Sequence, residues 1–473
     1  MLKIITAILA ASFMLASCSN KSEDSGAAAA NGAIGTVWTA GYGQAELIPP
    51  DMDSNTYWIA GYAVDKAITG VLDYQMAKAL WLDDNSGRGG IVIAVVDCIG
   101  LPRADVEKIR KMLTAFREES GCRSINIIST HSHAGVDTLG LWGPIGVSGR
   151  SPEFTQVVYD GVVSAVKQAY NSRQDGRLYY GTVVTEGIQR DSRPPEVFDS
   201  TLHSLRFVAS NGNGIRVINY AAHPEALGSR NTMISADFPA YMASHIKLVS
   251  GDDAIYIPGA IGGLIATRRQ TSDDGEELPE LESTVLTGQR LADIALGITN
   301  ERELAPNVAV YSKEVVLPVD NKVYVISAFL GAVEPITLPR GGRHRLSMVT
   351  EAGLLQLGDI SIFLVPGELF PELAYGGAAG GAGVNPLMPT ARLATLTSIA
   401  GEGFLIFGLC NDEIGYIVPP GDFFLHETTP YLQRGVDATG RSHYEETNSV
   451  GPLTAPLIIE ALYELKGKSE EIK

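Results

Sequence analysis

Ser124-Ile-Asn-Ile-Ile-Ser-Thr-His131-Ser-His133-Ala-Gly135 opens as an apolar, β-branched run and stops on a pair of histidines. A short, nearly continuous apolar run predicts a strand buried on both faces. In extended backbone, residues two apart point the same way, so His131 and His133 are expected to project together past the strand end. Open α/β sheets hold their ligands in that crevice, beyond the carboxyl ends of the strands. An H-x-H pair alone equally suits two solvated loop histidines, so a metal site needs further donors.

The same pattern recurs. Ile215-Arg-Val-Ile-Asn-Tyr-Ala-Ala-His223 is a second apolar run ending in histidine, and Asp359-Ile-Ser-Ile-Phe-Leu-Val-Pro-Gly-Glu368 turns on Pro-Gly to present a carboxylate. Phe404-Leu-Ile-Phe-Gly-Leu-Cys-Asn411 leads into a polar loop. Two imidazoles and a carboxylate are the donor set that leaves the fourth position of Zn2+ open. Other H-x-H chemistries fit poorly. The metallo-β-lactamase pattern needs Asp and then His where Gly135 and Val136 stand, and the order expected of amidohydrolase barrels is not supplied. The chain has no H-E-x-x-H helix and no G-x-S-x-G elbow, which excludes the common zinc proteases and the serine α/β-hydrolases.

Outward from these runs, further buried strands are expected at 91–97 and 254–257, with more alternating ones at 176–185 and 308–316. Helical periodicity is expected at 104–119, 152–170, 238–249, 284–298 and 453–465. Strands alternating with amphipathic helices predict an α/β to α+β fold, with layered mixed sheets flanked by helices and the zinc site at strand C-terminal ends. The glycine run 376–383 lacks the strand-loop-helix context of a phosphate cradle, so it reads as a loop.

The 473 residues carry a formal net charge of −18, with 45% hydrophobic and 19% charged residues. That composition is globular, and the acidity argues against nucleic acid and against an anionic membrane surface. Met1-Leu2-Lys3, an apolar stretch and Leu15-Ala16-Ser17-Cys18 have the layout of a bacterial lipoprotein signal peptide. The expected organisation is a signal peptide at 1–18 with lipidation of Cys18, a flexible linker at 19–35 and one catalytic domain at 36–473 without a C-terminal accessory domain. The expected location is the bacterial cell envelope, as an outer-membrane lipoprotein facing the periplasm or the surface. Cys98, Cys122 and Cys410 form no C-x-x-C site, and Cys98 and Cys410 read as buried small apolar residues.

The sequence resembles the neutral/alkaline non-lysosomal ceramidase family, in its N-terminal catalytic domain, from about residue 38 onward. The resemblance rests on Ala40-Gly-Tyr-Gly-Gln-Ala-Glu-Leu-Ile-Pro-Pro50 followed by Gly61-Tyr62, on Asp97, and on Thr130-His-Ser-His-Ala-Gly135 against the family's T-H-T-H-S-G. Asn219 to Gly228 with Ser235-Ala-Asp-Phe-Pro239, Pro366-Gly-Glu368, Gly408 to Ile417, and Tyr444-Glu445 with Gly451-Pro452 complete it. It implies one zinc held by His131, His223, Glu368 and Tyr416. Tyr416 enters only through the resemblance. His133 is then expected to face substrate, with Arg190 as the substrate-contacting arginine and Arg193 as its alternative. Gly262 departs from the pattern, because it stands where the family's G-D-V-S segment has its serine.

The implied activity is hydrolysis of the amide bond of a ceramide-like N-acylated lipid by zinc-activated water, with membrane contact through the lipid anchor and no protein partner. The missing serine keeps open a zinc hydrolase of another N-acyl amine or an ester. A non-catalytic surface lipoprotein that binds a ligand stays open on the anchor and linker alone. His203, His245 and His344 read as structural or solvated, His426 and His443 as loop residues with a possible rim role, and Trp142 as equally suited to an apolar mouth or to the core.

Overall fold

The computed structural model describes residues 35–212, 214–329, 346–377, 393–438 and 440–471. Cys18, the signal peptide, nearly all of the linker, His344 and most of the glycine run lie outside the described residues.

A nine-stranded sheet carries the two histidine strands. Its order is Asp253–Pro258, Gly214–Tyr220, Thr201–Ala209, Gln174–Val184, Trp38–Leu47, Gln75–Asp83, Ile91–Val96 and Ser124–Ser129, with Arg302–Leu304 attached to Gln174–Val184. Pairing is parallel in the outermost pair at each end and antiparallel between. A second, four-stranded sheet runs Val308–Pro318, Ser347–Leu357, Ile360–Leu364 and Leu405–Phe407. The architecture is therefore the layered mixed α/β arrangement expected from the alternation of runs and helices.

The pleat explains the layering. Along Gln75–Asp83, Leu80 and Leu82 face the second sheet, meeting Leu355, Ile362 and Phe407 in one core. Ala79 and Trp81 face the other way, among Ile109, Phe154 and Val158 of the helices Arg103–Met112 and Pro152–Asn171. Side chains alternate between faces along a strand, so strands covered on both sides are apolar throughout. Thr454–Glu471 closes the outer face of the second sheet through Ile458, Leu462 and Leu465.

Two asparagines join the sheets. Asn411 exchanges hydrogen bonds with Ile127 (N–H to O 2.7 Å, Oδ1 from N–H 2.9 Å), and Asn219 Nδ2 donates to Ile257 O at 3.0 Å and Ile406 O at 2.8 Å. These bonds tie the strands Ser124–Ser129, Gly214–Tyr220 and Asp253–Pro258 of the first sheet to Leu405–Phe407 and the segment that follows it in the second.

Element bounds differ from expectation in two instructive places. The helix expected at 104–119 breaks at Leu113, giving Arg103–Met112 and Thr114–Ser120. The strand Trp38–Leu47 was invisible as a strand because Gly41 and Gly43 interrupt its apolar pattern. Their role is close approach: a Cβ at Gly41 or Gly43 would fall 2.1 Å from the carbonyl oxygens of Ala169 and Ala165 on the covering helix.

Candidate active site

His131 follows Ser124–Ser129, is buried, and takes a left-handed backbone conformation at φ 66°. A non-glycine residue held there stores strain, which concentrates at functional sites. Its Nδ1 lies 2.6 Å from Ile99 O and its Nε2 3.5 Å from Glu368 Oε1. His223, after Gly214–Tyr220, repeats the arrangement: Nδ1 is 2.6 Å from Ile265 O and Nε2 2.9 Å from Glu368 Oε2.

A carbonyl oxygen only accepts, so both Nδ1 atoms carry the proton. In the neutral imidazole that leaves an Nε2 lone pair on each ring, and both point at one carboxylate. Acceptor facing acceptor at these distances is tenable only with a proton or a cation between them. Burial pushes the His131 pKa down to about 3, so that ring resists protonation. For His223 burial acts downward, yet the Glu368 carboxylate outweighs it and the pKa is raised. Two Nε2 lone pairs and a buried carboxylate fit the donor chemistry of Zn2+.

Glu368 opens the short strand Glu368–Leu369, which pairs parallel with Tyr416–Ile417 so that Glu368 stands beside Tyr416. Tyr416 is buried at the cavity floor, and burial followed by the Glu368 charge holds its phenol well above its ordinary pKa. His131, His223, Glu368 and Tyr416 are thus brought together.

His133 is there too, with its ring 4.9 Å from His131 and 5.6 Å from His223. Its two ring nitrogens are buried without hydrogen-bond partners, and burial followed by His223 pushes its pKa well down. Donor atoms of His131, His133 and His223 lie within 4.8 Å of one another, so a three-histidine set competes with the set containing Glu368. His223 Nε2 and His131 Nε2 both aim at the Glu368 carboxylate, which adds an anionic oxygen donor to the imidazoles.

The site opens into a cavity of about 560 Å³, a usual size for a small-molecule site. Leu139, Leu141, Trp142, Val319 and Met348 give it an apolar wall, so Trp142 serves the mouth. Sequence reasoning gave no site role to Tyr62 or to Glu225, which lie beside His133. Tyr62 donates to Glu225 Oε2 at 2.9 Å, and that oxygen lies 3.7 Å from His133 Nδ1. Nor did sequence reasoning give one to Glu413, a half-buried acid on the cavity wall whose Oε2 is buried. Nothing local in sequence marks these residues; only the closure of distant loops makes them neighbours.

Arg190 is exposed and is not among the residues lining the cavity. It sits on Gln189–Asp191, paired with Ala266, which in turn bridges to His223, and its charge acts on Tyr62. Arg193 does not line the cavity and is buried against Asp422, Glu445 and Glu446 at 2.6, 3.0 and 3.1 Å. His443 belongs to the same buried network, 2.7 Å from Glu446, and not to a rim. His203 is held by Tyr180 and Asp199, and His245 by Asp293. Cys98, Cys122 and Cys410 are buried free thiols.

Gly262 abuts the strand that carries Glu368. A Cβ there would fall 2.7 Å from Glu368 O, Leu369 C and Phe370 Cδ2, while its N–H donates to Leu369 O at 2.9 Å. The position has no room for a serine side chain without moving the backbone of Glu368.

Residues 38–254 match the family described as neutral/alkaline non-lysosomal ceramidase, N-terminal. That span includes the three histidines, whereas Glu368 and Tyr416 fall beyond it. Two curated relatives named neutral ceramidase, from Drosophila pseudoobscura pseudoobscura and Drosophila melanogaster, are each 27% identical over 324 residues. The match covers 57% of this chain and 45% of each relative, so it spans less than half of their length. Among solved structures, neutral ceramidase from Pseudomonas aeruginosa superposes with a TM-score of 0.69 at 16% identity, covering 91% of this chain and 75% of that one. A ceramidase complexed with C2 gives 0.67 at 15% identity, covering 92% and 75%. The fold is therefore shared with those enzymes over nearly the whole chain. Over residues 38–254 the chain is similar to the neutral/alkaline non-lysosomal ceramidase family in its N-terminal domain, and its fold is the one seen in neutral ceramidase.

Proposed function

We propose that the protein is a zinc-dependent hydrolase that cleaves the amide bond of a ceramide-like N-acylated lipid. The observation that carries this reading is the convergence of the His131 and His223 Nε2 atoms on the buried Glu368 carboxylate at the floor of a largely apolar cavity. Zinc bound there would polarise a carbonyl and lower the pKa of water, which is the chemistry amide hydrolysis lacks at neutral pH.

The chain's own residues take the remaining roles. His131, His223, Glu368 and Tyr416 would hold the metal. His133 is a neutral imidazole lining the cavity without a hydrogen-bond partner, suited to hydrogen-bond the substrate and to relay a proton taken from the attacking water to the leaving amine. Tyr416, a neutral phenol, is also suited to donate to the oxygen that gains charge. Leu139, Trp142 and Met348 receive an acyl chain and exclude water from it. Arg190, exposed on the Tyr62 side, is assigned the polar head group.

A zinc hydrolase of another N-acyl amine or of an ester is the second reading, and the packed Gly262 favours it. Lipidation at Cys18 and an outer-membrane location complete the proposal. The test is zinc content and turnover of a panel of short and long N-acyl amides beside ceramide. His131→Ala is expected to lose metal and activity together; a variant that keeps both overturns the assignment.

A further inference from the structure

One acid on the cavity wall is not used by the chemistry above. Glu413 lies between the strands Leu405–Phe407 and Tyr416–Ile417 and lines the cavity with Glu368, Ile99 and Pro102. Its stem occupies the space left by Gly100, where a Cβ would fall 2.6 Å from Glu413 Cγ. Glu413 Oε1 accepts the Gly415 N–H at 2.9 Å. With stem and one oxygen fixed, the carboxyl group has a defined orientation. Yet Oε2 is buried and has no hydrogen-bond partner. A buried polar atom left bare is costly, and proteins retain such atoms where a ligand or a reaction uses them.

We propose that Glu413 is a specificity-determining residue whose Oε2 pairs with a hydroxyl group next to the scissile amide of an N-acyl amine. The proposal rests on the amide-hydrolase reading and deepens it. An acyl chain offers Oε2 nothing. A hydroxyl can donate to a carboxylate and accept from a carboxylic acid, so it satisfies the group in either protonation state, whereas an ammonium can do only the first. A site built around such a bond rejects the analogue lacking the hydroxyl, because the buried oxygen is then left unpaired.

The experiment uses the zinc-loaded full chain and two N-acyl amines of equal chain length, with and without a hydroxyl on the carbon next to the one that bears the amide nitrogen. The native protein is expected to favour the hydroxylated substrate in kcat/KM by about tenfold or more. Glu413→Leu is expected to bring that ratio to within about twofold, and Glu413→Gln, which still hydrogen-bonds, to keep most of it. All three are expected to retain zinc. If Glu413→Leu does not fold, Glu413→Asp withdraws the carboxyl by one methylene and must lower the ratio. Equal rates in the native protein, a preference that survives Glu413→Leu or Glu413→Asp, or loss of zinc with Glu413→Leu each overturn the proposal. Absence of turnover of both substrates by the native protein overturns the hydrolase reading and this proposal together, whereas a missing preference overturns this one alone.

Discussion

The imidazole half of the site and the carboxylate half are held by different means. His131 and His223 hang from the nine-stranded sheet, each fixed through Nδ1 by a backbone carbonyl at 2.6 Å. Glu368 and Tyr416 follow the second sheet, and the Glu368 side chain hydrogen-bonds only to His223 among the described residues. The imidazoles are oriented by the fold whether or not an ion is present. The carboxylate is positioned by what lies between it and the rings, and by the Gly262 backbone packed against its strand. A metal bound there would join donors delivered by two different sheets.

Several substitutions bear on that contrast. The largest effect is expected from Glu368→Ala, which removes the anionic donor and leaves two neutral rings. Zinc stoichiometry and kcat/KM should both collapse, the latter by roughly a thousandfold or more, since metal polarisation supplies several kcal/mol. Retention of zinc would shift the site to the three histidines. His133→Gln should keep zinc and lower kcat by about a hundredfold, the usual scale of a lost proton-transfer group; parallel zinc analysis and kinetics separate it from the ligands.

Arg193→Ala should destabilise by about 3–5 kcal/mol in denaturant melts, because it strands buried carboxylates. Arg190→Ala should leave the melt within about 0.5 kcal/mol, as an exposed residue does, while raising KM for polar head groups a few-fold. Gly262→Ser should cost about 1–3 kcal/mol by overpacking against Glu368 and should not raise amidase turnover. A gain in turnover would show that the serine position is still functional.

The histidine half was legible in sequence, because continuous apolar runs ending in His131 and His223 signal buried strands with polar residues at their carboxyl ends. Glu368 was legible for the same reason, through the Pro-Gly turn after Ile360–Leu364. Tyr416 was not, since its strand has only two residues and its relation to Glu368 exists only through pairing between short strands. The strand Trp38–Leu47 was hidden by glycines whose purpose is contact with a helix far along the chain. Glu225 and Glu413 escaped because acidity alone says nothing about burial. Arg190 was drawn into the site by motif likeness, while its exposed side chain lies outside the cavity lining.

The central claim is that a cation replaces a proton between two lone pairs and one carboxylate. In the metal-free protein, Glu368 raises the His223 pKa above its ordinary 6.5, so this ring holds a proton below that raised value. Metal must displace the proton, so affinity should rise with pH through that range and level off above it. Zinc titration of the full chain by calorimetry, in buffers of different ionisation heat, reads both quantities at once. The account predicts one zinc per chain, about one proton released near neutral pH, and neither in Glu368→Ala. Undiminished zinc binding by Glu368→Ala, or no zinc bound by the native chain, would contradict it.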